Sequence, residues 1–592
     1  MVVNEVVEGH TEWQAGNTPP TENYDVVQLV GVSFTPESAL NPTLIDIDFT
    51  VSAGEMVIVC GPSGSGKSTL ISCINGLIPH FASGKLEGRI SIGGVDTQEA
   101  PMAAICANVA TVQQDPSAGM FSLTVENEVA FGPENLGRTK EELLVAVPSA
   151  LEAAGIPHLA NSATATLSGG QLQRTAIAGA IAMGSQLVLF DEPTTDLDPT
   201  AKRDVSAQIA KLKAEGNKSI IVVEHDLDHL VEYADRIVVL NEGRIVLDCS
   251  PATLCSDHLD QLEDLGVRIP DHVRLGRILR QQGYEIQCSD GTLNRAGEQL
   301  RSAQPTFSAP FTVPPRERHS DTATLQFDDV AIAYGRGKPL FSNVSFTLNP
   351  GEITVILGEN GTGKSTIGKA ACRLIDARSG TITIQGRPIG SISRSELSSL
   401  VGYCFQNPDL QLFCNSVREE LEFGLPQGTG VTEQAAQQAL DAVGLSDAAL
   451  RHPHELSRGQ RKRLAVATAL VRRPRLLILD EPTTGQDAAN IHEMLRLVKY
   501  LATEHGTAVL MVTHDIELAF SVADRFMVMD SGRMLANCSA EQLKSNAHNY
   551  PGVHYSPVSK LIQSAFPNED VSHLADFERR LQAPPNTISA RH

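Results

Sequence analysis

The chain carries four short motifs, and each of them occurs twice in the same order. The motif lysines lie 297 residues apart, and the glutamates and histidines of the later motifs lie 289 apart. Chance matches would not keep one order and nearly one spacing, so we expect two related domains whose loops differ slightly in length. The first copies are GPSGSGKST (Gly61–Thr69), LSGGQ (Leu167–Gln171), LVLFDEPTTDLD (Leu187–Asp198) and VVEHD (Val222–Asp226). The second copies are GENGTGKST (Gly358–Thr366), LSRGQ (Leu456–Gln460), LLILDEPTTGQD (Leu476–Asp487) and MVTHD (Met511–Asp515).

Apolar patterning around these motifs indicates the fold class. Glu55–Cys60 and Glu352–Leu357 are short apolar runs, each followed by a glycine-rich turn and a helical pattern. This order is typical of a strand, a phosphate loop and a helix. The continuous apolar runs before both acid pairs are typical of parallel strands buried on both faces. We therefore predict an α/β fold with a mainly parallel sheet in each domain, and an antiparallel sheet from the alternating runs VVQLVGVSF and TLQFDDVAIAY.

The motif positions also predict the domain boundaries. We expect a disordered tail over 1–24, a first motif-bearing domain over 25–265 and a second over 323–545. Residues 266–322 form an extension of the first domain and a linker, since Gln304–Ser320 is rich in proline, serine and charge. Residues 546–592 form a C-terminal extension in which SPVSKLIQSAF has the pattern of a short packed helix.

Composition excludes several other classes of protein. The formal net charge of −23 argues against a broad nucleic-acid footprint, which needs a basic surface. No apolar run reaches the roughly 18–20 residues of a spanning helix, and the N-terminus lacks the pattern of a signal peptide. The ten cysteines are scattered without a C-x-x-C pair, which favours reduced thiols over a metal centre.

The first motif of each copy is a phosphate loop of the form G-x-x-x-x-G-K-[ST]. Its glycines let backbone N–H groups converge on phosphate oxygens, its lysine reaches the β and γ phosphates, and its serine hydroxyl holds Mg²⁺. The predicted ATP-binding residues of the first loop are Gly61, Pro62, Ser63, Gly64, Ser65, Gly66, Lys67, Ser68 and Thr69. Those of the second loop are Gly358, Glu359, Asn360, Gly361, Thr362, Gly363, Lys364, Ser365 and Thr366.

An acid pair and a histidine complete the predicted catalytic set of each copy. Asp191 and Asp480 are placed to hold Mg²⁺ with Ser68 and Ser365. The next residues, Glu192 and Glu481, are placed to orient and deprotonate the attacking water. Such a carboxylate also occurs as a cap between a strand and a helix, but the Pro-Thr-Thr that follows both pairs favours catalysis. His225 and His514 are predicted to contact the γ phosphate.

The LSGGQ and LSRGQ motifs each precede an alanine-rich helical run. Ser168 and Ser457 can cap those helices and offer the helix N-termini to an anion.

With these motifs the chain resembles the ATP-binding-cassette superfamily over both predicted domains. The resemblance implies a helical signature subdomain in each domain, MgATP as ligand, and head-to-tail pairing of the two domains. One site would combine Gly61–Thr69 with Ser457, Arg458, Gly459 and Gln460. The other would combine Gly358–Thr366 with Ser168, Gly169, Gly170 and Gln171.

A narrower resemblance links Val109–Gly137, Val401–Leu425 and Val267–Ile286 to the ATPases of energy-coupling-factor importers. It implies that Gln114 and Gln406 contact Mg²⁺ or water and signal to the membrane partner. In that family a fused ATPase pair drives a transmembrane coupling protein and a small membrane protein that binds a vitamin or a metal ion. It also implies a cytoplasmic protein, peripheral on the inner face of the membrane. The alternative is a soluble tandem ATPase acting on ribosomes or nucleic acid, which usually has a strongly charged helical linker.

Two residues depart from the superfamily pattern. Tyr334 supplies the adenine-stacking ring in the second copy, but Pro36 stands at the aligned position of the first, with Phe34 as an imperfect substitute. Base–aromatic stacking contributes roughly 1–3 kcal/mol, so we expect weaker nucleotide binding at the first loop. Arg458 replaces the middle glycine of the signature, and we expect little effect from it.

Overall fold

A computed structural model describes residues 25–37, 39–195, 197–284, 297–298, 300–302, 305, 307, 322–333, 339–423, 433–484, 488–550, 552–553, 555–566, 571 and 574–581. The predicted tail 1–24, most of the linker and Tyr334 lie outside these residues.

Ten strands form two sheets in the first repeat. A four-stranded sheet has the order β2-β1-β4-β5 and is antiparallel. A six-stranded sheet has the order β10-β9-β3-β8-β7-β6 and is parallel except at the edge strand β10. The strands are β1 (Asp25–Pro36), β2 (Leu44–Ser52), β3 (Met56–Cys60), β4 (Gly84–Ile92), β5 (Val95–Asp96), β6 (Val109–Val112), β7 (Leu187–Asp191), β8 (Ser219–Val223), β9 (Arg236–Asn241) and β10 (Arg244–Cys249).

The second repeat has the same two sheets with equivalent strands in the same places. Their orders are β12-β11-β14-β15 and β16-β17-β18-β13-β19-β20. The strands are β11 (Leu325–Ile332), β12 (Phe341–Leu348), β13 (Ile353–Leu357), β14 (Ser379–Ile384), β15 (Arg387–Pro388), β16 (Val401–Cys404), β17 (Leu476–Asp480), β18 (Ala508–Val512), β19 (Arg525–Asp530) and β20 (Arg533–Cys538). Every residue of β3, β8, β13 and β18 is buried, which confirms the prediction of central parallel strands.

The described residues contain twenty α-helices, ten in each repeat with its extension. The first ten are α1 (Lys67–Ile74), α2 (Leu77–His80), α3 (Met102–Asn108), α4 (Val125–Asn135), α5 (Lys140–Ala153), α6 (Gly169–Ala182), α7 (Pro199–Ala214), α8 (Pro251–Asp257), α9 (Leu259–Asp264) and α10 (Asp271–Gln281). The others are α11 (Lys364–Ala371), α12 (Arg394–Leu400), α13 (Val417–Glu422), α14 (Glu433–Ala442), α15 (Arg458–Leu470), α16 (Ala488–His505), α17 (Ile516–Val522), α18 (Ala540–Asn546), α19 (Pro557–Ala565) and α20 (Leu574–Arg580). Among the described residues, no helix has the length and apolar character needed to cross a bilayer.

A helical layer with its own apolar core stands beside each six-stranded sheet. In the first repeat, α4, α5 and α6 pack together through side chains such as Val129, Leu151 and Ala178. In the second repeat, α13, α14 and α15 do so through Leu421, Leu440 and Leu464. The α6 and α15 helices begin at the LSGGQ and LSRGQ motifs, so the helical layer carries the signature residues.

The extensions that follow the two repeats share one apolar cluster. Helix α10 of the first extension packs against α19 and α20 of the second. Leu275 and Leu279 lie in the same cluster as Ile562 and Phe577, all of them fully buried. At the edge of this cluster Arg274 forms a 2.7 Å ion pair with Glu578. The predicted packed helix within residues 546–592 is α19, and it packs against the extension of the first repeat.

Candidate nucleotide sites

The first phosphate loop connects β3 to α1 through three glycines of positive φ, Gly61 at 145°, Gly64 at 83° and Gly66 at 104°. A Cβ at Gly61 would lie 2.1 Å from the carbonyl oxygen of Leu240, so a side chain has no room there. The Lys67 ammonium donates hydrogen bonds back across the loop to the carbonyls of Gly61 and Pro62, at 2.9 and 2.8 Å. The loop is therefore closed around the lysine, with α1 beginning at that residue.

The second phosphate loop has the same geometry. Gly358 has a φ of 148°, and a Cβ there would lie 2.2 Å from the carbonyl oxygen of Met529. Lys364 donates to the carbonyls of Gly358 and Glu359, both at 2.7 Å. Burial lowers the pKa of Lys364, although the carboxylates around it act in the opposite direction. An enclosed ammonium at a helix start is suited to phosphate oxygens, so the residues present fit a nucleotide triphosphate.

The glutamate after β7 is held by three side chains in the first repeat. Gln114 Nε2 donates to Glu192 Oε2 at 2.6 Å, and Thr195 Oγ1 donates to the same oxygen at 3.2 Å. His225 Nε2 lies 2.9 Å from Glu192 Oε1. Burial acts to raise the pKa of Glu192, but the hydrogen bond and field of His225, with the field of Lys67, outweigh it and lower the pKa. Glu192 is thus held as a carboxylate, the form that accepts a proton.

The equivalent glutamate of the second repeat has a different set of neighbours. His514 Nδ1 lies 3.0 Å from Glu481 Oε2. Lys462 Nζ donates to the backbone carbonyls of Glu481 and Thr484, at 3.1 and 2.6 Å. Burial raises and the field of His514 lowers the pKa of Glu481, with a net lowering. Gln406, unlike Gln114, is exposed.

The two aspartates predicted to hold Mg²⁺ lie at the carboxyl ends of β7 and β17. Burial, with the neighbouring Glu192, raises the pKa of Asp191 to about 6. Burial also raises the pKa of Asp480, and hydrogen bonds from Ser365 and Tyr403 oppose the shift. Ser365 Oγ donates to Asp480 Oδ1 at 2.9 Å. A hydroxyl and a carboxylate in contact are the oxygen donors that Mg²⁺ takes in proteins, so these residues fit the ion.

Both signature serines are helix N-caps. Ser168 accepts from the backbone N–H of Gln171, whose side chain accepts in return from the Ser168 N–H. Ser457 and Gln460 form the same capping box at α15. Each box satisfies one donor of its first turn and leaves the remaining N–H groups available to an anion. The side chain of Arg458 lies outside the described residues.

Phe34 does not serve as the stacking ring proposed for the first repeat. Its side chain is 3 % exposed and belongs to the core under β1. Its ring also fills the space beside Gly84, where a Cβ would lie 2.7 Å from it. The alternation of side chains correctly puts Phe34 and Pro36 on one face of β1, but at Phe34 this face is turned into the core.

Residues of both repeats meet at one cavity. It is lined by Thr194 and His225 from the first repeat and by Thr483 and His514 from the second. The carboxylate of Asp198, at the N-cap of α7, acts on the Lys364 ammonium of the opposite repeat. The loops that follow the two acid pairs therefore face each other.

Two further polar residues at these sites escaped the motif analysis. Glu224 is buried beside His225 and accepts hydrogen bonds from the backbone N–H and the hydroxyl of Thr194, at 3.0 and 2.7 Å. Tyr403 donates to Asp480 Oδ2 at 3.0 Å. The sequence did mark both residues, because each differs in type from the residue at the equivalent position of the other repeat. Thr513 corresponds to Glu224, and Thr111 corresponds to Tyr403.

Known proteins share both repeats. The sequence profile of the ABC transporter family matches residues 44–195 and 341–484. A putative ABC transporter ATP-binding protein of Methanosarcina mazei is 37% identical over 538 residues, covering 88% of this chain and 90% of that protein. The putative HMP/thiamine import ATP-binding protein YkoD of Bacillus subtilis is 35% identical over 526 residues, covering 88% and 93%. The solved structure of cbiO1 from Clostridium perfringens, part of the ABC transporter complex cbiONQ, is 28% identical with a TM-score of 0.37, covering 43% of this chain and 99% of that one.

Proposed function

The chain belongs to the ATP-binding proteins of the ABC transporter family, and from that premise we propose that it powers an importer of a vitamin or a metal ion through separate membrane subunits. The observation that carries the proposal is the presence of two complete sets of phosphate loop, acid pair and histidine in one polypeptide. Proteins of this family are ATPases, and the contacts of this chain suit hydrolysis at both loops.

At each site the lysine, the serine–aspartate pair and the glutamate would have separate roles. Lys67 and Lys364, now bonded to carbonyls of their own loops, would turn to the β and γ phosphates. Ser68 with Asp191, and Ser365 with Asp480, would hold Mg²⁺, which neutralises charge on the phosphates. Glu192 and Glu481 would accept the proton of the attacking water.

The two histidines bear on when hydrolysis can occur. His225 and His514 each contact the glutamate of their own site. A histidine in that contact has a ring nitrogen directed at the base, so it would have to turn to reach a γ phosphate. We propose that this exchange frees the glutamate for water only after ATP has entered.

Head-to-tail pairing is supported by the contacts between the repeats. The field of Asp198 on Lys364 and the cavity shared by His225 and His514 bring the catalytic loops of the two halves together. Under the proposed pairing, the helix starts capped by Ser168 and Ser457 would meet the nucleotide held by the opposite repeat.

A pair of exposed aromatic side chains supports a membrane partner. Phe121 follows Gln114 by seven residues, is 73 % exposed, and its ring lies 5.6 Å from that of Phe131. Phe413 follows Gln406 by the same seven residues, and its ring lies 4.7 Å from that of Phe423. Exposed apolar patches of this kind mark interaction sites. We propose that each receives a helix of the transmembrane coupling protein, and that Gln114 and Gln406 report the nucleotide state to it.

The class of cargo follows from resemblance. The relative named for HMP/thiamine import supports a vitamin or a vitamin precursor, and the segments similar to energy-coupling-factor ATPases support a vitamin or a transition-metal ion. A small substrate-binding membrane protein would choose the cargo. The alternative of a ribosome-directed or nucleic-acid-directed ATPase is not favoured, because the relatives are named as transporter proteins.

The test is one experiment with two readouts. The variant Glu192→Gln with Glu481→Gln should lose turnover by roughly 10²–10⁴-fold while still binding ATP, because only the general base is removed. Glu152→Gln, a change on the exposed face of α5, is the control. Turnover close to that of the unaltered chain in the double variant would show that the base is assigned wrongly.

The second readout is assembly with the membrane subunits. Phe121→Ser with Phe413→Ser should keep ATP turnover but lose co-purification of a multi-span membrane protein from detergent extracts of the native host. Tyr500→Ser, the control, removes an exposed ring from α16 and should still co-purify the membrane protein. Retention of the membrane protein by the double phenylalanine variant, or ribosomes in place of it, would contradict the proposed docking.

A further inference from the structure

The two repeats differ in the strand that leads to the predicted glutamine. Tyr403 is the third residue of β16 (Val401–Cys404), and Thr111 is the third residue of β6 (Val109–Val112). Both strands lie next to the strand that ends in the metal-holding aspartate, β17 or β7. A long polar side chain in the second repeat thus corresponds to a short one in the first.

Tyr403 secures one oxygen of Asp480 while Ser365 secures the other. The phenol donates to Oδ2 at 3.0 Å, and the serine hydroxyl donates to Oδ1 at 2.9 Å. The carboxylate is 4 % exposed, so both hydrogen bonds are sheltered from water. In the first repeat no described residue donates a hydrogen bond to the Asp191 carboxylate, which is largely buried near the charges of Glu192, Lys67 and His225.

A glycine in the phosphate-loop helix makes room for the phenol. A Cβ at Gly368 in α11 would lie 2.9 Å from Cε2 of Tyr403 and 3.0 Å from Cγ2 of Ile478. At the equivalent positions the first repeat has Ile71 in α1 and the small Thr111 in β6. Large and small residues are therefore exchanged as a pair between the repeats. Because glycine inside a helix costs roughly 0.5–1 kcal/mol relative to alanine, Gly368 is explained by the ring that it admits.

We propose that Tyr403 is a positioning residue of the second site, and that Gly368 and Tyr403 together hold Asp480 in the orientation that receives Mg²⁺. Among the described residues of the first site, no side chain holds Asp191 in this way. The second site then takes up MgATP with its metal ligand already in place, and the first must order Asp191 as the ion arrives. This inference rests on the proposed function, because it concerns the metal of the same ATP site.

The expected size of the effect follows from hydrogen bonds that orient metal ligands in general. Removing such a partner reduces metal affinity by about 10–100-fold. The loss should appear only in the part of nucleotide affinity that depends on Mg²⁺, since the phenol of Tyr403 bonds Asp480 and makes no hydrogen bond to the described residues of the loop that takes the phosphates. A residue that merely packs would affect binding with and without the ion alike.

The experiment measures nucleotide binding by calorimetry on the full chain with Lys67→Ala, which silences the first loop. The probe is the ATP analogue with an imido link between its β and γ phosphates, titrated with excess Mg²⁺ or with EDTA. The dissociation constant in EDTA divided by the dissociation constant in Mg²⁺ gives the contribution of the ion. Tyr403→Phe should reduce this ratio about 10-fold or more and leave the EDTA value unchanged. Tyr500→Phe, the same change on an exposed face, should leave both values unchanged.

Gly368→Ala provides an independent arm. Its methyl group displaces the ring edge without removing a polar atom, so it should reduce the ratio as Tyr403→Phe does. Combined with Tyr403→Phe it should reduce the ratio no further. An unchanged ratio in Tyr403→Phe overturns the inference while leaving the proposed function intact. Failure of the Lys67→Ala parent to bind the analogue under either condition would instead overturn the proposed function.

Discussion

Glu224 is an acid enclosed by the fold, and its ionisation should make the first repeat less stable as the pH rises. Its side chain is 1 % exposed, and its two oxygens accept from the Thr194 N–H, the Thr194 hydroxyl and the His225 N–H. Burial raises the pKa of Glu224 from 4.5 to about 7, against the opposing hydrogen bond of Thr194; the charges of Glu192 and Asp226 raise it further, and that of Lys202 lowers it.

The pKa shift gives the size and sign of the effect. One pKa unit corresponds to about 1.4 kcal/mol, so the shift of Glu224 is worth roughly 3 kcal/mol. The folded chain binds this proton more tightly than the unfolded chain does. The free energy of unfolding therefore falls by about that amount as the pH rises through the window from 4.5 to about 7. Below the window the penalty is absent, and above it the penalty is complete.

The perturbation is Glu224→Thr, which installs the residue that the second repeat has at Thr513. Its packing cost is independent of pH, so the informative quantity is the change in its melting temperature relative to the unaltered chain between pH 5 and pH 8. Because pH 5 lies inside the window, about 2.5 kcal/mol of the change falls between pH 5 and pH 8. For a repeat of this size, about 2–4 °C per kcal/mol then predicts a relative gain of roughly 5–10 °C at the higher pH. Differential scanning calorimetry without nucleotide measures it.

Glu152→Thr makes the same substitution on the exposed face of α5 and is the matched control. Its melting temperature relative to the unaltered chain should not depend on pH. If Glu224→Thr likewise gives one offset at both pH values, Glu224 is not an ionising buried acid and the reasoning fails.

Two further predictions concern the phosphate loops. Gly358→Ala should abolish nucleotide binding at the second loop because its Cβ would lie 2.2 Å from a carbonyl oxygen, whereas Gly361→Ala, with nothing within 4 Å, should retain part of it; titration with a fluorescent ATP analogue separates the two. With one loop silenced at a time, by Lys364→Ala or Lys67→Ala, the first loop should bind ATP more weakly, since a stacking ring contributes roughly 1–3 kcal/mol. Equal affinities would show that Pro36 costs nothing.

Most of the fold and many residues of the candidate site could be predicted from local sequence motifs. The phosphate loops, the capping serines and the buried strands beside them have signals confined to a few consecutive residues, such as Ser168 followed by Gln171. Phe34 was misjudged because alternation along a strand tells which residues share a face but not which face is covered. That face is decided by the elements packed across the sheet, because Phe34 shares its core cluster with Val57 of β3 and Leu70 of α1.

The residues that motif reading missed depend on distant neighbours. Glu224 and Tyr403 stand out as mismatches between the copies, but their meaning comes from Thr194 and Asp480, which are 30 and 77 positions away. The packing of α10 against α20 joins segments about half the chain apart, and no local pattern marks such a contact.

The shared cluster of α10, α19 and α20 also determines how the two halves can part. If the catalytic loops of the two halves separate after hydrolysis, as the proposed function implies, this cluster keeps the halves joined through Leu279, Phe577 and their neighbours. Opening would then be a rotation of one half about this cluster. Each new closure would be a first-order event whose rate does not depend on protein concentration. An ATPase of this kind would cycle at the same rate at low cellular concentration, because its two halves do not need a diffusional encounter to associate.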